Sequence, residues 1–109
     1  MTTTMPELTK YTFDETIGSS ELPVVVEFWA EWCPPCTMIA PVLESIAIAQ
    51  VSSFHVFKVN VDEHPELAAQ YDVFSIPTLL VFREGGLVRR MVGARGRSQL
   101  LQELEESIR

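Results

Sequence analysis

Apolar side chains recur along the chain at spacings that are typical of strands. Four such runs predict strands, and they cover residues 23–29, 54–61, 78–82 and 87–92. The first run is apolar at nearly every position, which is typical of a strand buried on both faces of a sheet. In the second run, Phe57, Val59 and Val61 are expected to share one face. Glu84-Gly85-Gly86, between the last two runs, predicts a hairpin turn.

Other segments carry apolar residues at helical spacing. The longest follows Cys33 and begins with Pro34 and Pro35, which suit a first helical turn. Its residues Ile39, Val42, Leu43 and Ile46 predict the core-facing stripe of an amphipathic helix. Three shorter helices are predicted: one after a Thr12-x-x-Glu15 capping box and running through Ile17, one from Pro65 to about Tyr71, and one with Leu101, Leu104 and Ile108 on its apolar face.

The order of these elements indicates the fold class. After an initial segment that can add one strand, strands and helices follow in the order β–α–β–α–β–β–α. Helical connections imply parallel pairing and the hairpin adds antiparallel pairing, so the expected class is α/β, a mixed sheet covered by helices. A chain of 109 residues is expected to form one domain. We assign residues 1–7 to a short N-terminal tail and residues 8–109 to the domain.

Composition and charge exclude several classes of protein. Hydrophobic residues make up 47% of the chain, which is too many for a disordered protein. Acidic residues outnumber basic ones by 15 to 8, which weighs against nucleic acid or an anionic membrane as the main partner. No apolar run approaches the ~20 residues of a membrane span. The N-terminus lacks the basic and apolar regions of a secretory signal, so the cytoplasm is the expected compartment and a monomer the simplest expectation.

The two cysteines, Cys33 and Cys36, are the strongest chemical signal. A bridge between them closes a loop so short that it stabilises the fold by only about 2 kcal/mol, which makes it a poor structural staple. The pair lies where a buried strand meets a helix N-terminus, whose unpaired N–H groups favour a thiolate. We therefore expect Cys33 to be the attacking thiolate, and Cys36, one turn further on and more buried, to be the resolving thiol.

The cysteine pair has two other interpretations. A zinc site needs four ligands, and the remaining candidates, His55 and His64, do not show ligand spacing to the pair. Two unreactive core cysteines are also conceivable, but the position at a helix start and the flanking prolines argue against them.

Glu27 is the second chemical candidate because it is the single charge within the first predicted strand. Burial disfavours the charged form of a carboxyl group and should raise its pKa. Such a group suits the exchange of a proton with the resolving thiol Cys36. The alternative interpretation is a purely structural residue, at a strand edge or in an ion pair.

Three stretches of the chain resemble the thioredoxin family, and the similarity extends from about Leu8 to the C-terminus. They are Phe28-Trp29-Ala30-Glu31-Trp32-Cys33-x-Pro35-Cys36 with Met38-Ile39-Ala40-Pro41 after it, Ile76-Pro77-Thr78-Leu79, and Val92-Gly93-Ala94. The resemblance implies a five-stranded central sheet with four helices. It also implies a thiol–disulfide oxidoreductase that acts on disulfide-containing proteins, binds no cofactor, and is recycled by a flavin-dependent thioredoxin reductase using NADPH.

The resemblance also assigns roles to individual residues. Pro77 matches the family's cis-proline, which faces the dithiol and the substrate peptide. The apolar surface around the active site is matched by Trp32, Ile76, Pro77, Gly93 and Ala94. Ordinary packing is the alternative role for Trp32. Lys58 matches a buried lysine beside the acidic residue, where it can pair with Glu27.

The sequence departs from the family pattern at four positions. Glu27 stands where thioredoxins usually carry Asp, and Pro34 stands where they usually carry Gly, which removes one N–H near the sulfurs. We place Pro34 and Pro35 with the substrate-binding residues. Thr37 replaces a frequent Lys, which slightly disfavours a thiolate. Phe74 is a large apolar residue at a position that is often polar, and it belongs either to the docking surface or to the core.

The most consistent function is a protein disulfide reductase. A thiol oxidase or isomerase with a more oxidising potential is the first alternative, and a non-catalytic interaction module with the same fold is the second. Five of the eight basic residues lie between Arg83 and Arg97. This cluster is either an ordinary solvated surface or an electrostatic docking patch for a partner enzyme.

Overall fold

The computed structural model describes residues 5–108. Within that range the strands are β1 (Val24–Trp29), β2 (His55–Asn60), β3 (Thr78–Arg83) and β4 (Gly86–Val92). The helices are α1 (Phe13–Ser19), α2 (Pro34–Ala49), α3 (Pro65–Gln70) and α4 (Arg97–Ser107). All eight elements that the apolar patterns predict are confirmed. No helix of the described range is long and apolar enough to cross a membrane.

The strands form one mixed sheet in the order β2-β1-β3-β4. Strand β1 is parallel to β2 and antiparallel to β3, and β3 pairs with β4 as an antiparallel hairpin. This confirms the mixed sheet that the element order predicts. The register places Glu27 in the centre of the sheet, opposite Lys58 on β2 and Leu79 on β3.

The expectation of a fifth strand is wrong for the described residues. The initial segment makes a single bridge, Glu7 to Lys58, in which Lys58 N donates to Pro6 O (3.0 Å) and Leu8 N donates to Lys58 O (2.8 Å). Pairing cannot extend past Pro6 because proline has no N–H to donate. It cannot extend past Leu8 because the chain turns into α1, where Thr9 O accepts from Phe13 N. Of the predicted tail, residues 1–4 lie outside the described range, whereas Met5 is buried in the core.

Alternate side chains of β1 enter two hydrophobic cores, one on each face of the sheet. Val25 packs with Ile39, Leu43 and Ile46 of α2 and with Leu100 and Leu104 of α4. Val24, Val26 and Phe28 pack with Phe13 and Ile17 of α1 and Leu67 of α3. Val59 lies in this second core with Phe57 and Val61 against it, as their spacing predicts. Because side chains alternate along a strand, Glu27 lies on the α2 face with Val25.

The predicted capping box at the start of α1 does not form. Thr12 is the N-cap residue, but its side chain makes no cap hydrogen bond to the helix. Its Oγ1 accepts instead from Thr9 N at 3.0 Å, and Phe13 N donates to Thr9 O. Thr9 O accepts from Thr12 N as well, so the preceding turn provides the partner that the Glu15 side chain would give to Thr12 N in a capping box. The helix continues to Ser19 rather than stopping at Ile17.

Candidate redox-active dithiol site

Cys33 and Cys36 form a disulfide at the start of α2, with their Cα atoms 5.3 Å apart. Cys33 is the N-cap residue, and Pro34 and Pro35 occupy the first two helical positions. Neither proline has an N–H, so the amide of Cys36 is the first helical donor, and it donates to Cys33 Sγ at 3.2 Å. The N–H that Pro34 removes is therefore not the one that contacts this sulfur. After reduction, the same amide and the helix dipole favour a thiolate at Cys33.

The two cysteines differ in their surroundings rather than in their burial. Their relative exposures are 3% for Cys33 and 2% for Cys36, so the predicted greater burial of Cys36 is not present. Cys33 Sγ lies 3.7 Å from the carbonyl oxygen of Ile76. Cys36 instead lines a partly open cavity together with Glu27 and Lys58.

The loop before β3 brings a second part of the chain to the disulfide. The Ile76–Pro77 peptide bond is cis, as the resemblance implies. The Thr78 hydroxyl donates to Ser75 O at 2.6 Å, and Gly93 N donates to Pro77 O at 2.8 Å. These bonds hold the loop against the end of β4, where Gly93 adopts a φ of +92° that L side chains rarely take. Ile76, Pro77 and Gly93 are thus brought to the Cys33 side of the site, with Ala94 exposed next to them.

An open apolar surface adjoins Cys33. Trp32 is 65% exposed and Phe74 is 89% exposed, which is incompatible with a core position for either. Both line a cavity of about 270 Å³ together with Val61, Val73, Ser75 and Ile76. The indole Nε1 of Trp32 donates to Asp62 Oδ2 at 2.8 Å, a contact that sequence reasoning missed. Pro34 and Pro35 are exposed at the start of α2.

Glu27 is enclosed on the opposite side of the disulfide. Its side chain is 1% exposed, and its Oε2 has no hydrogen-bond partner among the described residues. Burial raises the pKa of Glu27 to about 7; Lys58 acts to lower this pKa, and Glu7 acts to raise it. Glu27 and Cys36 line one cavity of about 220 Å³, together with Met5, Trp29, Thr37, Ala40 and Lys58. A buried carboxyl group with a pKa of about 7 therefore lines the same cavity as Cys36.

Lys58 is next to Glu27 in the sheet but is not bonded to it. The ion pairs within residues 5–108 do not include one between these two side chains. The Lys58 ammonium lies instead over the Trp29 ring, 4.9 Å from its centroid. The interpretation of Glu27 and Lys58 as a structural ion pair is therefore not supported.

The basic cluster is largely occupied by contacts within the molecule. Arg95 Nε lies 2.9 Å from Glu103 Oε2, and Arg89 pairs with Glu103 and Glu106. Arg90 donates to Asp72 O and Arg97 donates to Ser45 Oγ. Arg95 also donates to the carbonyls of Val92 and Gly93, at 3.3 and 3.4 Å, so it ties α4 to the loop beside Pro77. These contacts favour a structural role for the cluster over a docking patch.

Metal chemistry has no candidate site in the described range. Residues 5–108 contain no group of three or more His, Cys, Asp or Glu side chains that is arranged to hold a metal ion.

Comparison with known proteins agrees with this geometry. The family model described as Thioredoxin matches residues 4–106. A thioredoxin of Mycobacterium bovis is 46% identical over 102 residues, covering 94% of this chain and 88% of the relative. Thioredoxin 1 of a Nostoc species is 44% identical over 102 residues, covering 94% and 95%. A bifunctional thioredoxin reductase/thioredoxin of Mycobacterium leprae is 46% identical over 94% of this chain, which corresponds to 22% of that protein.

The fold and the enclosed cysteine pair define a thiol–disulfide oxidoreductase that uses its own disulfide as the redox group. The match over nearly the whole chain shows that this protein belongs to the thioredoxin family. Members of this family reduce disulfides of other proteins by dithiol exchange, bind no cofactor, and receive electrons from NADPH through a reductase.

Proposed function

We propose that this protein reduces protein disulfides through a Cys33-Pro34-Pro35-Cys36 active site in which Cys33 is the nucleophile, Cys36 the resolving thiol and Glu27 the proton acceptor. The observation that carries this proposal is the cavity that Cys36 shares with the buried carboxyl group of Glu27, whose Oε2 has no hydrogen-bond partner among the described residues. The helix N-terminus supports the choice of Cys33, since the amide of Cys36 donates to its sulfur.

The reaction consists of two exchange steps. The Cys33 thiolate attacks a substrate disulfide, forms a mixed disulfide and releases the first substrate thiolate. The Cys36 thiol then gives its proton to the Glu27 carboxylate and attacks Cys33 Sγ. The bond between Cys33 and the substrate breaks, and the second substrate thiolate leaves. Two electrons pass from the dithiol to the substrate, both substrate sulfurs take protons from solvent, and the Cys33–Cys36 disulfide forms.

Substrate proteins dock on the open side of the disulfide in this proposal. The apolar contact is provided by Trp32, Pro34, Pro35, Phe74 and Ile76, with Pro77, Gly93 and Ala94 beside them. The exposure of Trp32 and Phe74 supports this role, because large exposed apolar side chains are typical of interaction surfaces. Lys58 belongs to the proton-transfer side, where its charge opposes the protonation of Glu27.

Recycling by a thioredoxin reductase is part of the proposal. The bifunctional Mycobacterium leprae relative, whose name joins a thioredoxin reductase to a thioredoxin, supports such a partner. A disulfide reductase acts where thiols are kept reduced, so we propose that the protein works in the cytoplasm. We further propose that residues 8–109 act as a single domain and a monomer, with Met5 and Glu7 of the initial segment packed onto that domain.

Trapping of the mixed disulfide tests the roles of the cysteines. The Cys36→Ser variant, incubated with a protein that carries an accessible disulfide, should accumulate a covalent complex that dithiothreitol dissolves. The matched Cys33→Ser variant should form none. A covalent complex with Cys33→Ser would make Cys36 the nucleophile and refute the assignment, whereas function that survives in Cys33→Ser would favour a non-catalytic module.

The reduction potential tests the direction of electron flow. Equilibration with glutathione should give a value near the ~−270 mV of a reducing thioredoxin. A value of about −180 to −120 mV, the range of isomerases and oxidases, would replace the reductase by a thiol oxidase or isomerase.

A further inference from the structure

The segment before α1 reaches the cavity in which Glu27 and Cys36 meet. Met5 lines this cavity, and the Glu7–Lys58 bridge fixes the segment along β2. The Glu7 side chain accepts a hydrogen bond from Trp29 Nε1 at 2.9 Å. Trp29 lines the cavity as well, and the Lys58 ammonium lies over its ring. Trp29 and Lys58 therefore connect Glu7 to the surroundings of Glu27.

We propose that Glu7 is a positioning residue for the proton-transfer site: by holding Trp29, it keeps the Lys58 ammonium over the indole ring and away from the Glu27 carboxylate. The inference rests on the proton-transfer role proposed for Glu27. Glu7 does not touch the reacting sulfurs and acts through Trp29 and Lys58.

The position of Lys58 is the reason why an orienting contact is needed. Lys58 is the direct cross-strand neighbour of Glu27 on β2, and its side chain is long and flexible. Without a competing partner, the ammonium would move to the buried carboxylate and neutralise it as an ion pair. The ring of Trp29 offers that partner through a cation–π contact. The hydrogen bond from Glu7 fixes the orientation of this ring.

Glu7 influences Glu27 through its charge as well as through this contact. The titratable groups that face Glu27 are Lys58 on β2, Glu7 on the initial segment and, after reduction, the Cys36 thiol on α2. The cross-strand neighbour on β3 is Leu79, which does not titrate. The negative charge of Glu7 raises the pKa of Glu27, and the positive charge of Lys58 lowers it. Any test must therefore separate the charge of Glu7 from its hydrogen bond.

Two substitutions of Glu7 make that separation. Glu7→Gln removes the charge but keeps an oxygen that accepts from Trp29, whereas Glu7→Ala removes both. The pKa of Glu27 is measured in the oxidised protein from the pH titration of its side-chain carboxyl carbon by NMR. Glu7→Gln should lower this pKa slightly. Glu7→Ala should lower it by about one pH unit or more, the effect of an opposite charge that comes within ~4–6 Å.

The same pair in a Lys58→Met background provides the control. Without the ammonium, Glu7→Ala and Glu7→Gln should give the same pKa for Glu27, because only the charge of Glu7 is left to act. If the two variants already agree when Lys58 is present, Glu7 does not position Lys58 and the inference is overturned. If the difference between them persists without Lys58, the effect does not pass through Lys58 and the inference is likewise overturned.

A kinetic measurement separates this inference from the function on which it rests. The rate of mixed-disulfide resolution should fall at low pH as Glu27 becomes protonated. In Glu7→Ala this fall should occur at lower pH than in the native protein. If Glu27→Gln resolves the mixed disulfide at the native rate, the proton-transfer role of Glu27 fails, whatever the titrations show. If Glu27→Gln is slow but Glu7→Ala leaves the pKa of Glu27 unchanged, only the positioning role of Glu7 fails.

Discussion

The two sides of the Cys33–Cys36 disulfide differ more than the two cysteines themselves. On the Cys33 side, Trp32 and Phe74 are exposed and the Ile76 carbonyl lies next to the sulfur. On the Cys36 side, a buried carboxyl group, a half-buried ammonium group and an indole line a partly open cavity. The Cys33 side consists of open apolar surface and main chain, and the Cys36 side carries charged groups, of which the Glu27 carboxyl is buried.

This difference shows how one bond can serve two tasks. Apolar contact is non-directional, so an open apolar surface accommodates partners of different shapes. On the Cys36 side, burial acts on one specific group. It raises the pKa of Glu27 to about 7, so this carboxyl group can bind or release a proton near neutral pH. The following substitutions change one side and leave the other intact.

The stability of the fold should depend on pH through the ionisation of Glu27. This is the largest effect expected on the Cys36 side of the disulfide. A carboxyl group with a raised pKa in the folded state binds its proton more tightly there than in the unfolded chain. Stability is therefore highest below the unfolded pKa of ~4.3 and is lost as the pH rises through about 7. Between pH 4 and pH 8, the free energy of unfolding of the oxidised protein should fall by about 3 kcal/mol more than that of Glu27→Gln.

Denaturant unfolding at several pH values measures this difference. The two proteins should have similar stability near pH 4, and Glu27→Gln should be the more stable at pH 8. Parallel pH curves would show that Glu27 ionises as freely in the fold as in the unfolded chain.

The second largest effect is expected on the rate at which the mixed disulfide is resolved when Glu27 is replaced. Glu27→Gln keeps the shape of the side chain but cannot take the Cys36 proton, so resolution at pH 7 should slow on the order of 10²-fold. Glu27→Asp keeps a carboxyl group and should recover part of the rate. Stopped-flow kinetics with a pre-formed mixed disulfide give these rates, and equal rates for Gln and native protein would contradict the assignment.

Substrate binding on the Cys33 side of the disulfide should be weakened by the loss of the Phe74 side chain. Replacing it by Ser removes apolar contact with the substrate worth about 1 kcal/mol, so KM should rise about fivefold while kcat stays unchanged. Tyr11 is a matched control, because it is 82% exposed and lines neither of the cavities beside the disulfide. Tyr11→Ser should leave KM as it is; an equal rise in both variants would mean that Phe74 has no specific role.

The smallest effect is expected from Arg95. Arg95→Met removes the bonds to the Val92 and Gly93 carbonyls, so the loop beside Pro77 loosens and KM should rise about twofold, with up to about 1 kcal/mol of stability lost. Arg89→Met removes a similar ion pair to Glu103 that does not reach the loop. It should lower stability with no change in KM, and a KM change in both would rule out the loop as the cause.

Local patterns in the sequence were sufficient to predict the strands and helices. The apolar stripe of α2 and the alternation of β2 depend on neighbours in the chain, and both are confirmed. The fifth strand came from the resemblance instead, and it fails at Pro6, whose missing N–H is a local property of this sequence. The capping box fails because the Thr12 hydroxyl accepts from Thr9 N, and Thr12 N donates to Thr9 O rather than to the Glu15 side chain.

The contacts that sequence reasoning missed join residues that are distant along the chain. Glu7 and Trp29 are 22 positions apart, and Trp32 and Asp62 are 30 positions apart. Such pairs produce no periodic pattern in a single sequence. Each partner, taken alone, looks like an ordinary surface or strand residue. Glu27 was detectable for the opposite reason, since a charge within an apolar run contrasts with its immediate neighbours.

The bridge at Lys58 also has a consequence for how the protein behaves at high concentration. An edge strand with unpaired amide groups is a template on which a second chain can assemble and aggregate. Strand β2 is an edge of the sheet, and Pro6 and Leu8 occupy the N–H and C=O of Lys58 at its centre. A segment that pairs at one position and then presents a proline blocks further strand addition. The initial segment thereby hinders the addition of a further strand at the β2 edge of the sheet.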